Sequence, residues 1–181
     1  MPTMLITTTA RIRLRELEHS DDAFIMKLVN DPLWLRFVGD RKVHSLPDAR
    51  GYIDKVAQGY AKHGFGLWAV EELVSESVSD RVSDEPAGIC GLIKRDTLEL
   101  PDVGFAFLPA HRGKGLASEA LTATLDLALT RFGLKRVCAI TDLDNLASQG
   151  VLLRAGFGFV RTQQADDGSV LLNVYERALA E

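Results

Sequence analysis

Cysteine and histidine are scarce in this chain of 181 residues, which contains two cysteines and four histidines. Cys90 and Cys138 stand singly inside apolar stretches, and the sequence has no Cys-x-x-Cys pair and no cluster of histidines. This pattern argues against a disulfide framework and against a zinc site. We expect both cysteines to be reduced residues of the core.

Long apolar runs and concentrated basic charge are also missing. No stretch approaches twenty apolar residues, and the first ten residues lack the basic start and apolar centre of a signal peptide. The net charge is -4, and the 21 basic residues are scattered, which leaves no electrostatic footprint for nucleic acid. We therefore expect a soluble cytoplasmic protein that binds neither membranes nor nucleic acid. The length and the 46% apolar content predict one domain, residues 1–181.

Two common phosphate-binding motifs are absent around the segment Arg112-Gly113-Lys114-Gly115. A P-loop needs glycine where Leu108 stands and a hydroxyl residue where Gly115 stands. A dinucleotide fingerprint needs a third glycine or alanine at Ser118, and it normally opens its βαβ unit rather than lying late in the chain. Both interpretations are disfavoured.

The same segment does have the order strand, glycine-rich loop, helix. Residues 102–108 form a short apolar run rich in aromatic side chains, Pro109 closes it, and a helix-forming run begins at Ala117. Glycines allow a loop to turn its backbone N–H groups into one concavity, and the first turn of the helix adds unpaired N–H groups and a partial positive charge. The sequence therefore predicts a phosphate or pyrophosphate site here.

Two motifs resemble one enzyme family. Arg112-x-x-Gly115-x-Ala117 resembles the acyl-coenzyme A pyrophosphate loop of the GNAT N-acetyltransferases. Asn145-Leu146-Ala147-Ser148, followed by the run from Leu152 to Gly156-Phe157, is similar to a signature of the RimJ/RimL-type branch, which acetylates ribosomal-protein N-termini. With an alternating strand at residues 11–17, the resemblance covers nearly the whole chain.

The predicted fold is α/β (α+β), with seven strands and four helices in the order β, α, α, β, β, β, α, β, α, β, β. The resemblance implies a GNAT-like mixed, mostly antiparallel sheet that splays between its fourth and fifth strands, residues 102–108 and 136–141. Residues 75–86 are polar and acidic, which predicts a flexible loop. Residues 31–40, which include Trp34, either close over the core or wall an acceptor pocket.

The resemblance implies that coenzyme A lies in the splay, its pantetheine arm along the fourth strand. The residues it assigns to coenzyme A are Phe105, Ala106, Phe107, Leu108, Arg112, Gly113, Lys114, Gly115, Leu116, Ala117, Ser118, Asn145 and Ser148. Backbone donors near Ala106 and Phe107 are candidates for an oxyanion hole. The resemblance makes Ser148 the proton donor to the leaving thiolate, whereas a helix N-cap is the alternative role for Asn145 and Ser148.

The acceptor would be an amine that attacks the thioester directly. Deprotonation at pH 7 costs roughly 1.4 kcal/mol for an α-amine of pKa near 8, and roughly 4.6 kcal/mol for a lysine of pKa near 10.4. One carboxylate acting through water is therefore sufficient for an α-amine. Asp102 and Glu99 are the acids best placed to be this base, although either could be an ordinary surface carboxylate.

The predicted function is acetyl-CoA-dependent N-acetylation of a primary amine, most closely a protein N-terminal α-amine of the ribosomal-protein type. A small-molecule or antibiotic amine acetyltransferase and a noncatalytic coenzyme A binding module are the alternatives. A monomer and a homodimer both remain open.

Overall fold

The computed structural model describes residues 3–73, 82–83 and 85–180. Within these ranges the chain forms eight strands and five α-helices. The strands are β1 (Leu5–Thr8), β2 (Ile12–Arg15), β3 (Leu67–Glu72), β4 (Gly88–Ile93), β5 (Asp102–Phe107), β6 (Arg136–Asp142), β7 (Gly158–Gln164) and β8 (Leu171–Ala178). The helices are α1 (Asp22–Val29), α2 (Pro32–Phe37), α3 (Leu46–His63), α4 (Leu116–Thr130) and α5 (Leu146–Arg154).

All eight strands belong to one sheet, in the order β1-β2-β3-β4-β5-β6-β8-β7. Every neighbouring pair is antiparallel except β5 and β6, which are parallel and share the single residue pair Asp102 and Cys138. Beyond that pair the two strands separate. The predicted mixed, mostly antiparallel sheet and its splay between the fourth and fifth predicted strands are confirmed.

The structure adds one strand and one helix to the predicted count. β1 has four residues, both of its ends are exposed, and it pairs only with β2, so its sequence carries little burial pattern. α2 is a six-residue helix that begins where Asp31 accepts a hydrogen bond from the Leu33 amide and Pro32 occupies the first turn. This short helix is not among the four predicted helices.

Short sequence signals set the ends of several of these elements. The Ser45 side chain accepts a hydrogen bond from the Asp48 amide at the start of α3, and Gly64 ends this helix with φ +79°. Asp167 and Gly168 lie in the turn between the antiparallel strands β7 and β8. Of the predicted loop at residues 75–86, residues 75–81 and 84 lie outside the described ranges, while Glu85 pairs with Lys27 at 2.6 Å.

The core occupies both faces of the sheet. α1, α2 and α3 pack on one face through residues such as Phe24, Ile25 and Ile53, whereas α4 and α5 pack on the other through residues such as Leu121 and Leu152. Both cysteines are buried and free, as predicted, and burial raises the pKa of each thiol to about 12. In the ranges that the structure describes, no helix combines the length and apolar content of a membrane span.

Gly150 offers a test of local stability because it lies inside α5 without a positive φ. A Cβ there would meet Arg154 Nη1, the end of a flexible side chain, at 3.2 Å. Gly150→Ala is expected to raise the free energy of unfolding by about 0.5–1 kcal/mol, since alanine restricts the unfolded chain. The melting temperature should rise by about 1–4 °C in calorimetry. A decrease would show that Arg154 cannot move aside.

Candidate active site

The separation of β5 and β6 opens a cleft of about 800 Å³. Its walls come from α2, α3, the facing parts of β4, β5 and β6, the start of α5 and the β7–β8 turn. The predicted site residues that line it are Asp102, Phe105, Ala106, Asn145 and Ser148. The fold thus brings together a candidate base, the strand assigned to pantetheine and the Asn-x-x-Ser motif.

Asp102 lies where β5 and β6 make their single contact, and it is 1% exposed. Its carboxylate accepts a hydrogen bond from Arg95 Nε at 3.1 Å. Burial outweighs the attraction of Arg95 and raises the pKa of Asp102 from 3.8 to about 6. The side chain therefore titrates close to neutral pH, as a general base does. The alternative of an ordinary surface carboxylate is wrong for Asp102.

Glu99, the other candidate base, occupies a different position. It lies on the connection between β4 and β5 with its side chain exposed, outside the lining of the cleft. Its main-chain carbonyl accepts a hydrogen bond from Lys94 Nζ at 3.0 Å. The structure therefore favours Asp102 over Glu99.

Beyond the pair of Asp102 and Cys138, the edge of β5 that faces the splay has amides with no partner among the described residues. The Leu108 amide donates to Ala87, on the β4 side, and the Pro101 carbonyl accepts from the Cys138 amide, on the β6 side. Because successive residues of a strand direct their backbone groups to opposite sides, the amides of Phe105 and Phe107 face the splay and that of Ala106 faces β4. Phe105 and Phe107 are therefore better placed than Ala106 to serve as oxyanion donors.

The glycine-rich loop leads from β5 into α4. Gly113 and Gly115 have φ of +72° and +80°, which side chains of L-residues rarely tolerate. In the described part of the chain, the amides of residues 113–118 have no hydrogen-bond acceptor. Six consecutive free amides at a helix N-terminus fit a diphosphate. The side chains of Phe107, Leu108 and Leu116 are buried in the core, so these residues could serve coenzyme A only through backbone atoms.

Ion pairs that bridge distant parts of the chain hold this loop in place. Arg112 donates to the Phe107 carbonyl at 2.8 Å and to Asp31 at 2.5 Å. Arg11 donates to the Lys114 carbonyl at 2.7 Å and pairs with Glu119 at 2.6 Å. The contribution of Arg11 could not be predicted from the sequence, because its alternating context indicates only a half-exposed strand.

Two carboxylates, those of Glu119 and Glu72, contact the basic side chains in and beside this loop. Burial disfavours the charged form of Glu119, but hydrogen bonds from Thr9 and Arg11 outweigh it and lower the pKa of Glu119. Glu72 contacts His111 Nδ1 at 2.6 Å and Lys114 Nζ at 3.8 Å. His111 is thus held by Glu72 with its side chain 16% exposed, whereas the side chain of Lys114 is 50% exposed and more accessible to a ligand.

Asn145 and Ser148 stand at the start of α5. The Asn145 side chain accepts a hydrogen bond from the Ser148 amide at 3.2 Å. The predicted N-cap is therefore present, and both residues also line the cleft. The two roles are compatible, because the cap uses the Ser148 amide and leaves its hydroxyl for a ligand.

The cleft also extends between the sheet and α2 and α3. Trp34 and Phe37 of α2 line it, and Trp34 is also buried in the core, so residues 31–40 both close over the core and form a wall of the cleft. Further charged or phenolic lining residues on this side are Arg41, Tyr52, Lys55, Lys62 and Asp166. These residues could not be recognised as a group from the sequence, since nothing in their spacing connects them.

Comparison with known proteins agrees with this geometry. Residues 11–158 match the family described as Acetyltransferase (GNAT) domain. The chain is 27% identical to the uncharacterized protein YkkB of Bacillus subtilis (strain 168), over 93% of both chains.

Solved structures show the same fold. A GNAT-family protein from Bordetella pertussis superposes with a TM-score of 0.76 at 24% identity, covering 97% of this chain and 99% of that one. An acetyltransferase from Salmonella typhimurium, described as modifying the N-terminal serine of ribosomal protein L7/L12, has a TM-score of 0.74 at 16% identity, with 96% and 98% covered. Structures of this fold include complexes with coenzyme A and with acetyl-CoA. This chain belongs to the GNAT acetyltransferase family.

Proposed function

We propose that this acetyl-CoA-dependent acetyltransferase modifies an α-amine, and that its acceptor is the N-terminus of a protein. The observation that carries the proposal is the buried Asp102, with a pKa of about 6, on the wall of the cleft. Such a carboxylate is ionised at pH 7 and suits an amine of pKa near 8, which needs little help to lose its proton. The likeness to an L7/L12 acetyltransferase supports a protein acceptor.

Each residue of the cleft has a separate role in the proposed reaction. Acetyl-CoA supplies the thioester carbonyl carbon, to which the amine nitrogen bonds as the carbon–sulfur bond breaks. Asp102 takes the proton that the nitrogen loses, directly or through water. The amides of Phe105 and Phe107 stabilise the negative charge on the carbonyl oxygen, and Ser148 gives a proton to the departing thiolate.

The proposed path separates the two substrates across the sheet. The diphosphate lies on the amides of residues 113–118, and the pantetheine arm runs along the open edge of β5 toward Asp102. The amine enters from the α2 and α3 side, where Arg41, Lys55 and Lys62 line the cleft. These cations favour an acceptor whose N-terminal segment carries carboxylates.

The test compares thiol release from acetyl-CoA with three classes of acceptor. These are peptides with a free α-amine, the same peptides with a blocked α-amine and an internal lysine, and small polyamines or aminoglycosides. We expect acetylation of the free α-amine, located by mass spectrometry, and at least tenfold slower reaction of the lysine peptides. Activity on the small amines alone would support a small-molecule acetyltransferase instead. Binding of acetyl-CoA without transfer to any class would support a noncatalytic module.

A further inference from the structure

Two buried side-chain polar atoms have no hydrogen-bond partner among the residues that the structure describes, and both belong to residues that line the cleft. They are Trp34 Nε1 and Thr141 Oγ1. Buried polar groups of native proteins are almost always paired, so an orphan in a ligand cleft indicates a group that the ligand completes.

Thr141 lies on the side of the cleft that α4 and α5 cover. Cys138 of β6 pairs with Asp102 of β5, and Thr141 comes three residues after Cys138. Because the strands are parallel, Thr141 lies opposite Phe105, which comes three residues after Asp102, on the other side of the splay. Side chains alternate along a strand, so the side chain of Thr141 lies on the same face of the sheet as those of Val137 and Ala139. Those two residues pack in the same core cluster as Leu152 of α5.

Two hydroxyl side chains, from Thr141 and Ser148, therefore line the β6 and α5 wall of the splay. Asp102 lies on the opposite face of the sheet. It pairs with Cys138, whose side chain points to the face opposite that of Thr141, because the two residues are three positions apart along β6. Trp34 belongs to the core cluster of α1, α2 and α3 on that opposite face. The position of Thr141 thus points to the acyl donor rather than the amine.

We propose that the Thr141 hydroxyl forms a hydrogen bond with the thioester end of the pantetheine arm of acetyl-CoA. The pantetheine arm carries amide groups that can pair with a hydroxyl, whereas the surrounding wall offers Thr141 no such partner in the described structure. Valine has nearly the same shape and lacks the hydroxyl, so Thr141→Val removes the hydrogen bond without leaving a cavity. This assignment rests on the proposed acetyl-CoA site and is independent of which amine is acetylated.

The experiment measures the Kd for acetyl-CoA by calorimetry and the melting temperature of the ligand-free protein. We expect Thr141→Val to weaken acetyl-CoA binding by about tenfold, the loss of one buried hydrogen bond. Its ligand-free melting temperature should equal or exceed that of the wild type, because the unpaired hydroxyl is gone. Thr141→Ser keeps the hydroxyl and should bind within about twofold of the wild type.

Thr124→Val is the matched control. Thr124 is fully buried in α4, but its hydroxyl is 3.3 Å from Cys90 Sγ and it does not line the cleft. This variant should not gain stability, and its Kd for acetyl-CoA should be that of the wild type.

Wild-type affinity in Thr141→Val would overturn the assignment, as would an equal loss in Thr124→Val. If Thr141→Val does not fold, Thr141→Ala takes its place, and tight binding by that variant would have the same meaning. Wild-type protein that binds acetyl-CoA but transfers to no amine would contradict the proposed function and leave the role of Thr141 intact.

Discussion

Gly115→Glu is expected to abolish binding of acetyl-CoA, with the Kd rising at least a hundredfold. Gly115 has φ +80°, and a Cβ at this position would approach Arg11 Nη2 at 3.3 Å. The variant places bulk and a negative charge beside the free amides of residues 113–118, where the diphosphate is proposed to lie. In the wild type, acetyl-CoA at a hundred times its Kd should add about 2.7 kcal/mol to the free energy of unfolding. We expect a clear rise in melting temperature for the wild type and none for the variant.

Gly133→Glu separates the loss of binding from backbone strain. Gly133 follows α4 with φ +65°, and a Cβ there would have nothing within 4 Å. Both variants force a side chain into a left-handed conformation, so both should lower the ligand-free melting temperature. Only Gly115→Glu should lose the shift with acetyl-CoA. An undiminished shift in Gly115→Glu would place the diphosphate elsewhere.

The local parts of this structure were accessible from the sequence. The conformations of β5, the glycine-rich loop and α4 are set by residues close together in the sequence. Gly113 and Gly115 permit the turn, and the spacing of apolar residues predicts the helix. The same holds for the Ser45 cap of α3 and for the Asp167-Gly168 turn, each set by a few adjacent residues.

The environment of the site could not be predicted in this way, because it depends on contacts between distant residues. Arg11 reaches Glu119 across 108 positions, and Arg112 reaches Asp31 across 81. No local pattern indicates such pairings. The burial of Asp102 is likewise a product of the sheet, since its place beside Cys138 exists only after β5 and β6 meet. The sequence therefore indicates Asp102 and Glu99 equally as candidate bases, and only the fold distinguishes them.

Asp102→Asn should lower kcat by roughly a hundredfold at pH 7, within the usual range for loss of a general base. Asparagine keeps the size of the side chain and removes its basicity. The pH profile gives the sharper result. Below about pH 6 the wild type needs both an ionised Asp102 and a neutral amine, so log(kcat/KM) should rise with a slope near 2. Between about 6 and the amine pKa near 8 the slope should be near 1. In Asp102→Asn the slope should be near 1 throughout.

Glu99→Gln is the control, because Glu99 was the other candidate base and lies exposed outside the cleft. Its kcat should stay within about twofold of the wild type, as for most exposed surface substitutions.

The pH dependence of the free energy of unfolding gives an independent check on Asp102. The pKa of Asp102 is raised from 3.8 to about 6 on folding, so the folded state holds the proton more tightly. The resulting stability is complete below pH 3.8 and is lost as the pH rises through about 6, and Asp102→Asn should remove this dependence. If the slope of 2 survived in Asp102→Asn and disappeared in Glu99→Gln, Glu99 would be the base. If it survived in both, the proton would go to neither carboxylate.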